Sequence, residues 1–361
     1  MFRKTERFLL LFLVLACPYA ALGDVQPVID QINMLSARER EAVLLKEAKK
    51  SADVHWDTTM PVHYTRELVR LLGRRHPFLD TEIRRDTDTR RLGERLVTQV
   101  IAEYRAGKFS PDVINAPSRF VTFLNEAGVI TKNGAPFREA LRQGVSDREG
   151  FINPVYTNIY TFFYNTQLVK AEELPKSYED LLHPRWKGRL AIDLEDAEWL
   201  AGLIEVMGQE KAIEFAKKLA EQKPNLRRGP MPLEQLIAGG QSALAPGQSL
   251  HSGTVLKKAG APVEMHFVEP VLTQTSTAAW VANKTPSPHA GLLLVDFLLS
   301  KEAQMIFSRF GRLPARKDVR IQYGLDDKKI HFLSNQWVGD RFKELTEIFS
   351  EIFSVRGAEV K

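Results

Sequence analysis

"YNTQLVKAEELPKSYEDLLHPRWKGRLAIDLEDAEW", Tyr164–Trp199, lies near the middle of the 361-residue chain. It opens on the apolar end of a strand and continues into a short helix introduced by Pro175. An aromatic and basic turn at Trp186-Lys187-Gly188 then leads into a strand, "RLAID" (Arg189–Asp193). No pattern within it carries catalytic chemistry, so its meaning depends on its flanks.

Immediately upstream, "FINPVYTNIYTFFYN" (Phe151–Asn165) reads as two adjoining strands. Downstream, Asp196 is placed to cap a helix over Ala197–Met207, and a second helix follows over Glu210–Glu221. A helix over Leu233–Ala238 stops at Gly239-Gly240, and Ser242–Ala245 is a strand. Its exit, "PGQSLHSG" (Pro246–Gly253), is a loop rich in hydroxyls and amides. The strand Val263–Glu269 leads through Pro270 into "STAAWVAN" (Ser276–Asn283). The helix Pro288–Ser300 is apolar on most sides and is expected to be buried. "KEAQMIFSRFG" (Lys301–Gly311) and an amphipathic helix near Gly339–Phe353 close the chain.

Further upstream the same alternation appears three times. Strands are expected at Ala52–Trp56, Asp80–Arg85 and Asp112–Ala116. Helices follow at Pro61–His76, at Arg90–Arg105 and from a capping Ser118 through Ala127 to Gly128. In an α/β sheet such strand-to-helix junctions gather at the carboxyl ends of the strands, where ligands bind. Here they are Asp57-Thr58-Thr59-Met60, Thr87-Asp88-Thr89 and Ala116-Pro117-Ser118. Each offers hydroxyls before a helix N-terminus, whose free N–H groups and dipole favour anions and carbonyl oxygens.

The first residues and the composition bound the compartment. Arg3, Lys4 and Arg7 precede the apolar run Phe8–Ala16, and small residues Ala21 and Gly23 precede Asp24. That is a signal peptide over residues 1–23, its apolar run shorter than the roughly 20 residues of a membrane span. A second reading is lipidation of Cys17, the only cysteine, with Leu15 an uncommon residue two positions before it. Either way the folded part has no disulfide, and a periplasmic location is expected. Removing residues 1–23 leaves 338 of 361 residues, enough for two domains, and lowers the net charge from +5 to +3. The dibasic pairs Arg74-Arg75, Arg84-Arg85, Arg90-Arg91 and Arg227-Arg228 are scattered, unlike a nucleic-acid footprint. No nucleophile elbow, H-E-x-x-H, dinucleotide fingerprint or phosphate-cradling glycine loop is present, so a binding protein is expected and no catalytic residue or cofactor is nominated.

"YNTQLV…LPKSYEDLLHPRWKGRLAI" and "SPHAGLLLVDFLLSKEAQMIFSRFGRLPAR" together resemble the extracellular solute-binding proteins of ABC importers, in their iron(III) and polyamine-like group. The resemblance implies a two-lobed type 2 periplasmic binding fold, each lobe a mixed sheet flanked by helices, joined by a hinge of crossing strands. It implies a first lobe of residues 24–155 plus 270–315 and a second of 156–269 plus 316–361. Tyr164–Trp199 then marks the entry into the second lobe. It also implies a monomer that captures a small solute and delivers it to an inner-membrane ABC permease.

Ferric-binding members of that group hold iron with a histidine after the first strand, a glutamate after the third and a tyrosine pair in lobe two. The corresponding positions here fall near Thr59, Pro117 and Pro246–Ser249, and none of those residue types stands there. Iron(III) demands hard anionic oxygen ligands, so its usual ligand set is missing and no metal site is nominated. The expected ligand contacts are Thr58, Thr59, Thr89 and Ser118 from lobe one and Trp199, Gln248 and Ser249 from lobe two. Tyr156 and Asn158 join them near the crossing. Hydroxyls at helix N-termini suit a small organic anion or a phosphate-bearing solute. A polyamine needs several inward carboxylates, and only Asp57, Asp88, Glu195 and Glu198 lie near these loops. A metal complex and an exported hydrolase are the alternatives.

Overall fold

The computed structural model of the chain describes residues 23–354, except 52, 87–92, 109, 135 and 148. The expected signal sequence up to residue 22, with Cys17, lies outside these residues, as does Thr89. Two helices with no counterpart in the sequence reading come first, α1 (Gln26–Asn33) and α2 (Ala37–Ser51). The inward face of α2 is only Arg40, Leu44 and Ala48, too narrow a stripe to announce itself among so many charges. Arg40 is nevertheless buried, because Asp296 closes an ion pair with it at 2.7 Å.

The expected alternation follows as β1 (Asp53–Thr58), α3 (Val62–Arg75), β2 (Asp80–Arg85), α4 (Glu94–Arg105), β3 (Val113–Pro117) and α5 (Val121–Glu126). Strands β2, β1 and β3 run parallel side by side, the arrangement that helical crossovers produce. Ser118 opens a 3-10 turn and makes no side-chain cap for α5, contrary to expectation, because its hydroxyl is drawn into contacts with Ser276 and Asn335.

Two long strands organise the rest. The expected pair over Phe151–Asn165 is one strand, β4 (Pro154–Asn165), of 12 residues and so about 40 Å long. Then come β5 (Ala191–Asp193), α6 (Ala197–Met207), α7 (Gln209–Glu221), β6 (Asn225–Arg227), α8 (Pro230–Ala238), β7 (Leu244–Ser249), α9 (Leu250–Lys258) and β8 (Val263–His266). The second long strand is β9 (Val271–Val281), followed by α10 (Pro288–Leu298), α11 (Lys301–Arg309), β10 (Leu313–Pro314), β11 (Ile330–His331) and α12 (Asn335–Ser354).

Strands β4 and β9 pair antiparallel, and each serves both halves of the molecule. The start of β4 pairs with β10 at Tyr156 and Thr157, while its end pairs with β7 and β8 from Tyr160 to Asn165. Strand β9 lies against β3 over Thr277–Val281 and against β11 at Val271 and Leu272. Register shifts interrupt the β4–β9 pairing around Pro154/Tyr156 and Thr157/Ile159, bending it where it leaves one sheet for the other.

Separate hydrophobic clusters mark two lobes. In the first, α1–α3, α10 and α11 cover one face of the sheet and α4 and α5 the other. In the second, α6, α7 and α12 pack on Tyr160, Phe162 and Leu272, and α8 packs behind Phe163 and Ala245.

The Pro175 helix does not form. The carboxylate of Asp180 takes the N–H groups of Lys176 and Ser177 at 2.7 and 3.1 Å, which tightens the chain into 3-10 turns over Glu179–Leu182 and Pro184–Trp186. Trp186 is buried there, and the turn delivers β5 into the second lobe.

Candidate functional site

The site grows from one face of β4. Tyr156 points toward the first lobe, its ring 5.0 Å from Phe307 and 6.3 Å from Tyr64. The amide of Asn158, two residues on, donates through Nδ2 to Gln274 of β9. Tyr160 points into the second lobe and donates its hydroxyl to Asp196. Asp196 is the N-cap of α6, as its spacing predicted, and accepts from Trp199 N at 3.3 Å.

Strand β7 completes this face. Ser249 stands opposite Tyr160 across the β4–β7 pair. Two residues earlier, Gly247 has φ +70°, and a Cβ there would stand 2.9 Å from Trp199 Cγ. The indole of Trp199 therefore lies against bare backbone, a closeness only glycine permits.

Several polar atoms here are buried without a hydrogen-bond partner: Asn158 Oδ1, Trp199 Nε1 and Ser249 Oγ, together with Thr157 Oγ1 and Glu195 Oε2. Orphaned buried groups are costly and uncommon, so each of these atoms is a candidate for a partner from outside the chain. Three of the five belong to nominated residues.

The others are placed differently. Thr58 donates to Asn115 Oδ1 at 2.8 Å and accepts from Met60 N at 3.0 Å, so its hydroxyl is spent inside the first lobe. Thr59 Oγ1 lies 3.5 Å from Asn115 O. Ser118 Oγ lies 2.6 Å from Ser276 O and 2.7 Å from Asn335 Oδ1, tying β3 to β9 and α12. Gln248 is buried, its amide turned back on Pro246 O at 3.2 Å.

Acidic groups surround the α6 N-terminus but are largely satisfied. Burial pushes Asp196 well above the usual carboxylate range and raises the Tyr160 hydroxyl as well. Asp193 is raised to about 6 by burial, although its Oδ1 accepts from Glu195 N and Gly229 N. Glu198 is clasped by Arg119 Nη1 at 2.5 Å and by Thr275 N at 2.8 Å. Because Arg119 follows β3 and Glu198 opens α6, this ion pair spans the two lobes. Helix α12 reinforces the span: Gly339 runs so close to Arg119 that a Cβ would meet its carbonyl oxygen at 2.5 Å.

A third group, absent from the sequence reading, gathers at the start of α3, the first turn of α9 and the segment before β10. Arg312 Nε donates to Tyr64 Oη at 3.0 Å, and the guanidinium lies 5.5 and 5.1 Å from the rings of Tyr64 and Tyr156. The Tyr64 hydroxyl meets His251 Nδ1 at 2.5 Å, and the His251 ring stacks on His63 at 5.6 Å. Where a loop is expected, helix α9 forms; its first turn carries Leu250, buried with Ile159, Val271 and Leu313 at the crossing, and so holds His251 at the seam.

Chemically the surface offers hydrogen-bond donors and acceptors and an aromatic face. Among the described residues, no group of three His, Cys, Asp or Glu is arranged to hold a metal, and no helix is long and apolar enough to cross a membrane.

Known proteins share this architecture. An iron protein of Trichodesmium, FutA (IdiA), solved with iron and citrate, superposes with a TM-score of 0.69 at 17% identity, covering 83% of this chain and 99% of that one. AfuA of Actinobacillus pleuropneumoniae, a periplasmic binding protein solved with exogenous fructose-6-phosphate, gives 0.67 at 18%, covering 84% and 99%. At these identities the likeness concerns the fold. An uncharacterized protein of Haemophilus influenzae is 26% identical over 174 residues, 46% of this chain and 50% of its own, so the chain spans about half the length of that curated relative. The bacterial extracellular solute-binding protein family matches over residues 110–336, well over half of the chain. With that match joined to a two-lobed fold whose long strands cross from one lobe to the other, the chain belongs to the bacterial extracellular solute-binding protein family.

Proposed function

We propose that this protein is the periplasmic component of an ABC importer that captures a small organic anion between its lobes and delivers it to the membrane permease. Residues 24–155 with 270–315 form one jaw and 156–269 with 316–361 the other. The observation that carries this reading is the set of buried, unpartnered atoms Asn158 Oδ1, Trp199 Nε1 and Ser249 Oγ. Two of the three are donors, and Trp199 and Ser249 sit at the N-terminal ends of α6 and α9, where the helix field favours negative charge. A ligand with a carboxylate or phosphate and further hydroxyls meets both donors and uses the Asn158 oxygen as an acceptor for its own O–H.

The test is a thermal-shift screen of organic acids and sugar phosphates against polyamines, with Ser249→Ala and Trp199→Phe alongside. Stabilisation by anions that weakens in both variants supports the assignment. Stabilisation by polyamines alone, unchanged in either variant, overturns it.

A second reading is a metal carried as its complex with an organic anion. The unpartnered Glu195 Oε2, one residue before the α6 cap Asp196, favours it, as does the presence of both iron and citrate in the Trichodesmium structure. Stronger stabilisation by iron(III) citrate than by citrate, lost in Glu195→Gln, would select this reading.

A further inference from the structure

Among the described residues two arginines are buried, Arg40 and Arg312. Arg40 is closed on Asp296 by two hydrogen bonds. Arg312, 8% exposed, meets no carboxylate: its hydrogen bond goes through Nε to Tyr64, and its faces lie near the tyrosine rings. Both Nη atoms are left without a protein partner among the described residues. The Nη atoms are not among the fully buried unpartnered atoms, so they keep contact with solvent while the aromatic faces pack the rest of the guanidinium. An open guanidinium fork with no protein counter-charge has a role beyond packing.

Its position says what that is. In the β4–β10 pair Leu313 faces Thr157 and Pro314 faces Tyr156, so the preceding residue, Arg312, comes in level with Asn158 at the crossing. There the start of α3, the first turn of α9 and β4 converge, all through side chains that touch Arg312 or its partner Tyr64. The Tyr64 hydroxyl, held by His251, fixes one edge of the guanidinium and leaves the other edge free.

We propose that Arg312 reads the charge of the ligand, its free Nη pair taking a carboxylate or phosphate group in a two-pronged bond. This rests on the anion-binding function proposed above and names the residue that selects it. The planar fork matches such groups in a way the lysine ammonium does not.

The experiment measures melting of wild type, Arg312→Met and Arg312→Lys in chloride, inorganic phosphate, citrate and fructose 6-phosphate at equal ionic strength, with fructose as the neutral control. In chloride, Arg312→Met is expected to stay folded and to melt within several degrees of wild type, because the two Nη atoms it removes bond nothing in the protein. The anions are expected to stabilise wild type, with dissociation constants roughly 30- to 1,000-fold weaker in Arg312→Met and only partly restored in Arg312→Lys. Equal anion responses in wild type and Arg312→Met overturn the proposal, while leaving the anion-binding function standing. A wild type stabilised by polyamines and by none of the anions removes both.

Discussion

Replacing Glu198 by alanine tests whether the two lobes are energetically joined through the α6 N-terminus. Its carboxylate is buried and holds three groups: Arg119 Nη1 at 2.5 Å, Thr275 N at 2.8 Å and the Thr275 hydroxyl at 3.1 Å. Losing a hydrogen bond to a charged group costs about 1.5–3 kcal/mol, and leaving the buried Thr275 N–H unsatisfied costs about 1–3 kcal/mol. The expected loss is therefore on the order of 4 kcal/mol. For lobes of this size each kcal/mol lowers Tm by about 2–4 °C, so Glu198→Ala should melt on the order of 10 °C lower. Glu198→Gln keeps an acceptor for Thr275 N and should lose about half as much. A urea or thermal denaturation series with Arg119→Ala and the double variant supplies the coupling energy, expected at about 2 kcal/mol or more. Additive single effects, or a Glu198→Ala loss below about 1 kcal/mol, would refute the idea that this pair ties the lobes.

Three other outcomes are expected. Added iron(III) alone should give no visible tyrosinate band, because Tyr160 is buried and committed to Asp196 and Tyr156 is packed among rings; a strong band abolished by Tyr160→Phe would contradict this. Asp193, raised to about 6 by burial, contributes stability that is complete below its unfolded value near 3.8 and lost as pH rises through about 6. Asp193→Asn keeps the Oδ1 acceptor and should gain on the order of 2–3 kcal/mol at pH 7.5 with little change at pH 4, read from urea midpoints at the two pH values. Gly247→Ala should cost about 1–3 kcal/mol, since alanine must adopt φ +70° and its Cβ displaces the Trp199 ring; it should also weaken ligand binding, and a variant equal to wild type in both respects would show that Trp199 is not held as described.

The parts of the fold that were legible in the sequence are those with strong local signals. The β1–α3–β2–α4–β3 alternation follows from period and turn residues, and Asp196 caps α6 where its spacing put it. Pro175 misled because a nearby carboxylate, Asp180, offers the backbone a tighter turn than a helix. Helix α9 was hidden because Ser249-Leu250-His251 carries no apolar period of its own and is held by Leu250 from below. The site shows the same division. Trp199 and Ser249, nominated from helix starts and loop chemistry, and Asn158, nominated from its place at the crossing, carry unpartnered buried atoms. Thr58 and Ser118 carry the same hydroxyl signal, yet their oxygens are consumed by Asn115, Ser276 and Asn335, partners that only the assembled sheet supplies. Arg312 was unreadable because its significance is a missing counter-charge, and that is a property of the folded surroundings.

A crystal structure with the most stabilising anion from the screen decides whether a small organic anion fills the interlobe surface of β4, β7 and α6. The anion is expected within hydrogen-bond distance of Trp199 Nε1 and Ser249 Oγ, with its charged group at Arg312 and the lobes closed over it. An anion bound elsewhere, or a cation held there by Asp193, Glu195 and Glu198, would contradict it.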